Sequence, residues 1–289
     1  MTNQEFRENT KVMIAAKRIV KAALEEDHAL EDITSLSTIA KEAMAIGRLK
    51  VKQDGATISG LPVAELVFQE LSQEIKFDYK VQDNTKTLKD DILGLVIGPE
   101  RLLLAGERSA LNFLQHLSGI ATLTNKFVET VTGTRAKILH TRKTIPGLRD
   151  LEINAVLDGG GHPHRADLRS VLIKDNHVQA AGSITKAIEA VRRHNRQDIF
   201  MVVEVETMDQ FREALRLRPA VIMLDDMSLD QMRNAVDLAN DQVQIEVSGG
   251  VNLQNIRAIA ETGVHRISIG GALTLGAPPI DINFKTENL

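Results

Sequence analysis

At 289 residues, 43% of them hydrophobic and 26% charged, the chain is long enough to bury one large core or two smaller ones. Its charges are of mixed sign and sum to −4, which excludes the broad basic field that recruits nucleic acid; a cationic site must be local. Cysteine is absent, which removes disulfides, thiolate metal sites and cysteine nucleophiles.

The chain opens with MTNQEFRENTKVMIAAKRIV, which lacks the continuous apolar core of a signal peptide. No later run approaches the roughly 20 apolar residues that span a bilayer, so a soluble, cytoplasmic protein without a membrane partner is expected. Val12, Ile14 to Ala16, Ile19, Val20, Ala23 and Leu24 recur at helical spacing and predict one amphipathic helix over Glu5 to Glu26. From Ile46 to about Gly98 short runs such as GRLKVKQDGATISG and KFDYKV alternate with Gly and Asp, and a helix is expected from Val63 to Glu70, giving an α+β region. ERSALNFLQHLSGIATLTNKFVETV then reads as a long helix, apolar on more than one face, that links two domains.

Beyond it, IFMVVEVE, AVIMLDDM, VQIEVSGG and RISIGGA are apolar, mostly β-branched runs separated by helical segments such as TMDQFREALRLR and SLDQMRNAVDLA. Such repeats build a parallel sheet, and the pattern alone admits a doubly wound sheet or a barrel. Lys174, Glu204, Asp225 and Ser248 each stand at the carboxyl end of an apolar run, the habit of an α/β barrel. Only about six convincing strands follow Ala136, so an open, incomplete barrel is expected.

The polar residues at these strand ends form five groups. HTRKTIPGLR supplies Arg142, Lys143 and Arg149, and guanidinium and ammonium groups suit a carboxylate or phosphate; a solvated basic loop would read the same way. DGGGHPHRADLR places three glycines, Gly159 to Gly161, before His162, His164 and Arg165. The glycines permit a close approach to the main chain or a plain turn, and His-Pro-His alone would invite a metal. SVLIKDNHV delivers Lys174 from a buried strand, where it must be paired or functional. Glu204 and Asp225, at equivalent places on neighbouring strands, could bind sugar hydroxyls, carry magnesium, favour charge on an anomeric carbon, or pair with the cations. VSGGVN and ISIGGA set glycines at two strand ends, the first leading directly into a helix, which suits a phosphate. A small polyanion containing a sugar and a phosphate follows from this set; the reaction does not.

ERSALNFLQHLSGIAT, TRKTIPGLR, GGG followed by HR, LIKDNH, VEVE, MLDDM and EVSGGV occur in the order, and nearly at the spacing, of the quinolinate phosphoribosyltransferases, and DITSLSTIA and DGATISGLPVAELVF resemble their N-terminal domain. The resemblance implies an α/β sandwich over residues 1–112, rejoined by 278–289, beside an open α/β barrel over 113–277. It implies conversion of quinolinate and phosphoribosyl pyrophosphate to nicotinate mononucleotide, pyrophosphate and carbon dioxide in NAD biosynthesis, with Mg2+. It also implies a homodimer with a shared active site, or a higher assembly such as a hexamer. By similarity Arg142, Lys143, His164, Arg165 and Lys174 form a basic pocket for the two quinolinate carboxylates, and Arg108 reaches in from the neighbouring subunit. Glu204 and Asp225 would hold the ribose and its magnesium, with Ser248, Gly249, Gly250, Gly270 and Gly271 around the 5'-phosphate, and Lys143, Lys174, Glu204 and Asp225 acting in catalysis.

The chain departs from that pattern at His140, where the family commonly has Asp, and at Ala166 to Arg169 after the His-Arg pair. It departs again at the doubled Gly270 and Gly271, and at Leu275 and Gly276, which replace His and Ser. A paralogous phosphoribosyltransferase of the ModD type is the nearest alternative, against which LIKDNH speaks. A non-catalytic nucleotide-binding paralogue, or a metal-dependent hydrolase built on His-Pro-His, are alternatives from other classes.

Overall fold

The structure is a computed structural model that describes residues 3–195 and 199–289. In chain order the first elements are α1 (Asn3–Glu8), α2 (Thr10–Glu26), α3 (Ile33–Thr38), β1 (Met44–Val51), β2 (Ala56–Thr57), α4 (Leu61–Leu71), β3 (Lys76–Tyr79), β4 (Lys86–Thr87), β5 (Ile92–Pro99) and α5 (Glu100–Thr130). Then come β6 (Lys137–Leu139), α6 (Arg149–Asp158), β7 (Val171–Ile173), α7 (Asp175–Ala181), α8 (Ile184–His194), β8 (Met201–Val205), α9 (Met208–Leu217) and β9 (Val221–Asp225). The chain ends with α10 (Leu229–Ala239), β10 (Gln244–Ser248), α11 (Ile256–Ala260), β11 (Arg266–Ser268), α12 (Gly271–Thr274) and β12 (Ile282–Asn288).

These elements form two compact units, one of residues 1–125, 144–160 and 274–289 and the other of 126–143 and 161–273. The division expected at 112/113 falls inside α5, a continuous helix of 31 residues, and contacts part the chain further along it. Among the described residues no helix is long and apolar enough to cross a membrane.

The first unit is built on a four-stranded antiparallel sheet in the order β12-β1-β5-β3. The chain's last strand lies along β1 from Val51 opposite Ile282 to Ala45 opposite Asn288. The single helix expected over Glu5 to Glu26 is two, because the Asn9 side chain accepts the Val12 N–H (3.3 Å) and starts a new helix there. Within α2, Val12, Ala16, Val20 and Leu24 recur every four residues and are all buried.

The second unit holds a six-stranded parallel sheet in the order β6-β11-β10-β9-β8-β7. From β7 to β11 each strand lies beside the next in sequence, without the reversal that a doubly wound sheet requires. The winding is that of a barrel, and it stays open because β6 and β7, which would have to pair to close it, are the two edges. Every residue of β8 is buried, as are Val221 to Leu224 of β9, which is why these strands read as unbroken apolar runs. Leu172, Val202, Val221 and Met223 pack as one cluster across three adjacent strands.

The returning helices start on capping residues that the sequence displays. Ser183, Thr207 and Ser228 accept N–H bonds from Lys186, Gln210 and Gln231, and Gln231 returns a bond to the Ser228 N–H. Each such cap contributes about 1 kcal/mol. Strand pairing sets neighbouring strand ends side by side; Ser248, for example, lies opposite Asp225.

Candidate active site

The carboxyl ends of the parallel strands open into a cavity of about 680 Å³ lying wholly within the second unit. Arg142, Lys143, His164, Arg165, Lys174, Glu204, Asp225, Ser248, Gly249, Gly250, Gly270 and Gly271 all line it. Twelve of the thirteen expected site residues are thus brought together. The exception is Arg108, which is exposed on α5 in the first unit and lines a different cavity with Asn112, Phe113 and Ile145. Arg149, also singled out by charge, lies in the first unit and donates from Nε to Thr144 Oγ1 (3.1 Å).

Strand geometry explains the convergence. Lys174 directly follows β7, Glu204 is the penultimate residue of β8, and Asp225 and Ser248 close β9 and β10. Lys174 Nζ donates to Glu204 Oε2 (2.6 Å), so the lysine and this carboxylate are paired with each other. Burial raises the Glu204 carboxyl above the ordinary glutamate range; the bond from Lys174 opposes this, and nearby Asp225 reinforces it. Arg165 is pulled below the usual guanidinium range, first by burial and then by the charge of Arg142. Arg142 Nε is buried without a hydrogen-bond partner among the described residues. Two guanidinium groups held close with a donor unsatisfied are a cost to the empty protein that a bound dianion would relieve.

The glycine loop differs in one respect from its expected form. VSGGVN does not lead directly into a helix; turn residues follow Gly250, and α11 begins only at Ile256 and is five residues long. The loop is shaped by Gly249 and Gly250, with φ of +90° and +56°. A Cβ on Gly249 would lie 2.2 Å from Asp226 Oδ1, so only glycine fits. At the neighbouring strand end Lys143 lies across Gly270, its Nζ 3.2 Å from where a Cβ would stand.

Three residues escaped the sequence reading. Asp226 lines the cavity with a left-handed backbone (φ +52°), which Asp tolerates better than most side chains. Glu246, inside β10 and fully buried, receives Arg266 Nε (2.7 Å) and the Ser268 hydroxyl. Burial would raise its carboxyl, but contacts with His164, Arg266 and Ser268 outweigh that and hold it below the ordinary range. His164 Nε2 lies 3.1 Å from Glu246 Oε1, within ion-pair distance though off the axis of a hydrogen bond. His140, wholly buried behind the cavity wall, was noted only as a departure. A charged residue within the apolar run VQIEVS was the available signal for Glu246.

Six singly wound parallel strands whose basic, acidic and glycine-rich ends meet in one cavity define an open-barrel α/β protein whose cavity suits a polyanion. Family models agree on which one: the quinolinate phosphoribosyl transferase N-terminal domain matches residues 32–118 and the C-terminal domain residues 120–285. Quinolinate phosphoribosyltransferase [decarboxylating] 2b of Nicotiana tabacum is 37% identical over 94% of this chain and 82% of its own length. The structure of NadC from Streptococcus pyogenes superposes with a TM-score of 0.90 at 36% identity, covering 94% of this chain and 96% of that one. A nicotinate-nucleotide pyrophosphorylase structure from Ehrlichia chaffeensis gives 0.88 at 39% identity, covering 93% and 98%. The chain belongs to the quinolinate phosphoribosyltransferase family.

Proposed function

We propose that this chain joins quinolinate to phosphoribosyl pyrophosphate in the cytoplasm, releasing pyrophosphate and carbon dioxide and forming nicotinate mononucleotide for NAD biosynthesis. The observation that carries this reading is the single cavity in which Arg142, Lys143, Arg165 and Lys174 stand with Glu204 and Asp225. A doubly charged aromatic acid matches the cations, and a sugar whose anomeric carbon becomes positive matches the carboxylates.

In this mechanism Arg142, Lys143, His164, Arg165 and Lys174 hold the two carboxylates and aim the pyridine nitrogen at the anomeric carbon. The nitrogen forms its bond to that carbon as pyrophosphate leaves, and Glu204 and Asp225 favour the positive charge that develops there. The ring is now a pyridinium. Its positive nitrogen stabilises the electron pair left on the adjacent carbon when the neighbouring carboxylate departs as carbon dioxide, and that carbon then takes up a proton. Ser248, Gly249, Gly250, Gly270 and Gly271 receive the 5'-phosphate.

Glu204 and Asp225 would hold a magnesium ion that arrives with the phosphates of the substrate. Among the described residues no three His, Cys, Asp or Glu side chains gather as a metal cage, whereas two hard carboxylates, Glu204 and Asp225, face the cavity. Magnesium ordinarily takes one or two carboxylates together with substrate phosphates. When bound it would neutralise charge on the departing pyrophosphate. Arg108 is assigned to the active site of a second copy, in a homodimer or a larger assembly such as a hexamer.

Incubation with quinolinate, phosphoribosyl pyrophosphate and magnesium should yield carbon dioxide and nicotinate mononucleotide in equal amounts, with nicotinate inert; no carbon dioxide would end the proposal. Ionised Glu204 is the useful form and its carboxyl is raised, so kcat/KM should fall on acidification at a pH above the ordinary glutamate range. An acid limb at or below that range would remove Glu204 from the mechanism. Gly249→Ala places a Cβ against Asp226 at a left-handed position. It should raise KM for phosphoribosyl pyrophosphate about tenfold or more, with a smaller effect on KM for quinolinate, as initial rates would show.

A further inference from the structure

His140 follows β6 directly and is wholly buried, 1% exposed. Its Nε2 accepts the backbone N–H of His164 (3.0 Å), so the ring proton sits on Nδ1, which faces the Thr141 carbonyl (3.3 Å). Burial pushes its pKa down to about 4, so the ring is neutral in neutral solution and the acceptor is available. The His164 ring stands edge-on to it, centroids 6.4 Å apart at 88°.

Residues 163–169 contain no helix or strand. The main chain is tied to β6 at His162, whose N–H donates to the Ile138 carbonyl (2.7 Å), and next at His164, through His140. Further along, Arg165 Nη1 donates to the Ser170 carbonyl (3.3 Å) and Arg169 pairs with Asp167. Glu246 Oε1 lies 3.1 Å from the far end of the His164 ring. His140 thus holds the main chain of His164, and Arg165 is the next residue along it.

We infer that His140 is a positioning residue that sets the quinolinate half of the site, through one buried hydrogen bond to the main chain of His164. The inference rests on the function proposed above and adds to it a residue that touches no substrate. It is selective by construction: Glu204, Asp225 and Ser248 stand on strands β8, β9 and β10, outside the segment that His140 ties down.

Three variants test it. His140→Phe keeps the ring shape without an acceptor, His140→Asn places its amide near the Nδ1 position, too short to reach His164, and His140→Gln extends an amide oxygen to the Nε2 position. Phe and Asn should each raise KM for quinolinate about tenfold or more, with KM for phosphoribosyl pyrophosphate within about twofold, and Gln should restore quinolinate KM to within about threefold of wild type. Near-normal quinolinate KM in Phe or Asn, a parallel rise in both KM values, or failure of Gln to restore would each overturn the inference. Wild-type protein inert toward quinolinate would instead overturn the function itself, which keeps the two failures apart.

Discussion

Arg165→Ala should lower kcat/KM for quinolinate by roughly a hundred- to a thousand-fold while leaving Tm within a few degrees of wild type. The asymmetry follows from what Arg165 does in the empty protein. Its guanidinium is partly desolvated beside Arg142, and its one hydrogen bond among the described residues goes to the Ser170 carbonyl (3.3 Å). Removing it takes away a repulsion from Arg142, an attraction to Glu204 and one long hydrogen bond, and the fold loses little. The ligand complex loses a charge-assisted, two-point grip on a carboxylate, and Arg142 is then left to hold the dianion with fewer partners. Steady-state kinetics and a thermal melt on the same preparation separate the two quantities. Near-normal turnover would remove Arg165 from the pocket's function, and a collapse in Tm would recast it as a structural residue.

How much of this was legible in the sequence depended on whether a residue's environment is set by its neighbours in the chain. The strands of the second unit were legible because their residues are buried on both faces, which leaves continuous apolar runs, and the residues that close them mark the rim. TMDQFREALRLR and SLDQMRNAVDLA were legible as helices from their apolar period, and α9 and α10 lie there. Asn9 carried a capping signal, but the apolar period continuing across it hid the break. His140 and Glu246 were obscure for another reason. The partner of His140 lies 24 residues away and the hydroxyl partner of Glu246 lies 22 away, and periodicity holds no information about contacts at such separations. The lag between the glycine loop and α11 was equally hidden, because Asn252 and Asn255 fold back on the Gly250 carbonyl (3.2 and 2.9 Å) and delay the helix.

Mixing inactive Arg108→Ala with inactive Lys174→Ala protein should restore roughly a quarter of wild-type activity. Lys174 lines the cavity with its Nζ on Glu204, whereas Arg108 is exposed on α5 and lines no part of it. On the function proposed above, Arg108 acts by entering the site of another copy. In a symmetric dimer each site then takes Lys174 from one chain and Arg108 from its mate. Random exchange of two equally abundant variants gives mixed dimers as half of the total. In each mixed dimer one site carries both substitutions and the other carries neither, so one site in four overall is intact. The figure depends on the sharing and not on how strongly either side chain acts, which makes it a sharp test. Recovery should follow the rate of subunit exchange and vanish if the two proteins are cross-linked as homodimers before mixing. Exchange proven by mass, without any return of activity, would place Arg108 outside the site of either copy. Activity in Arg108→Ala alone would do the same.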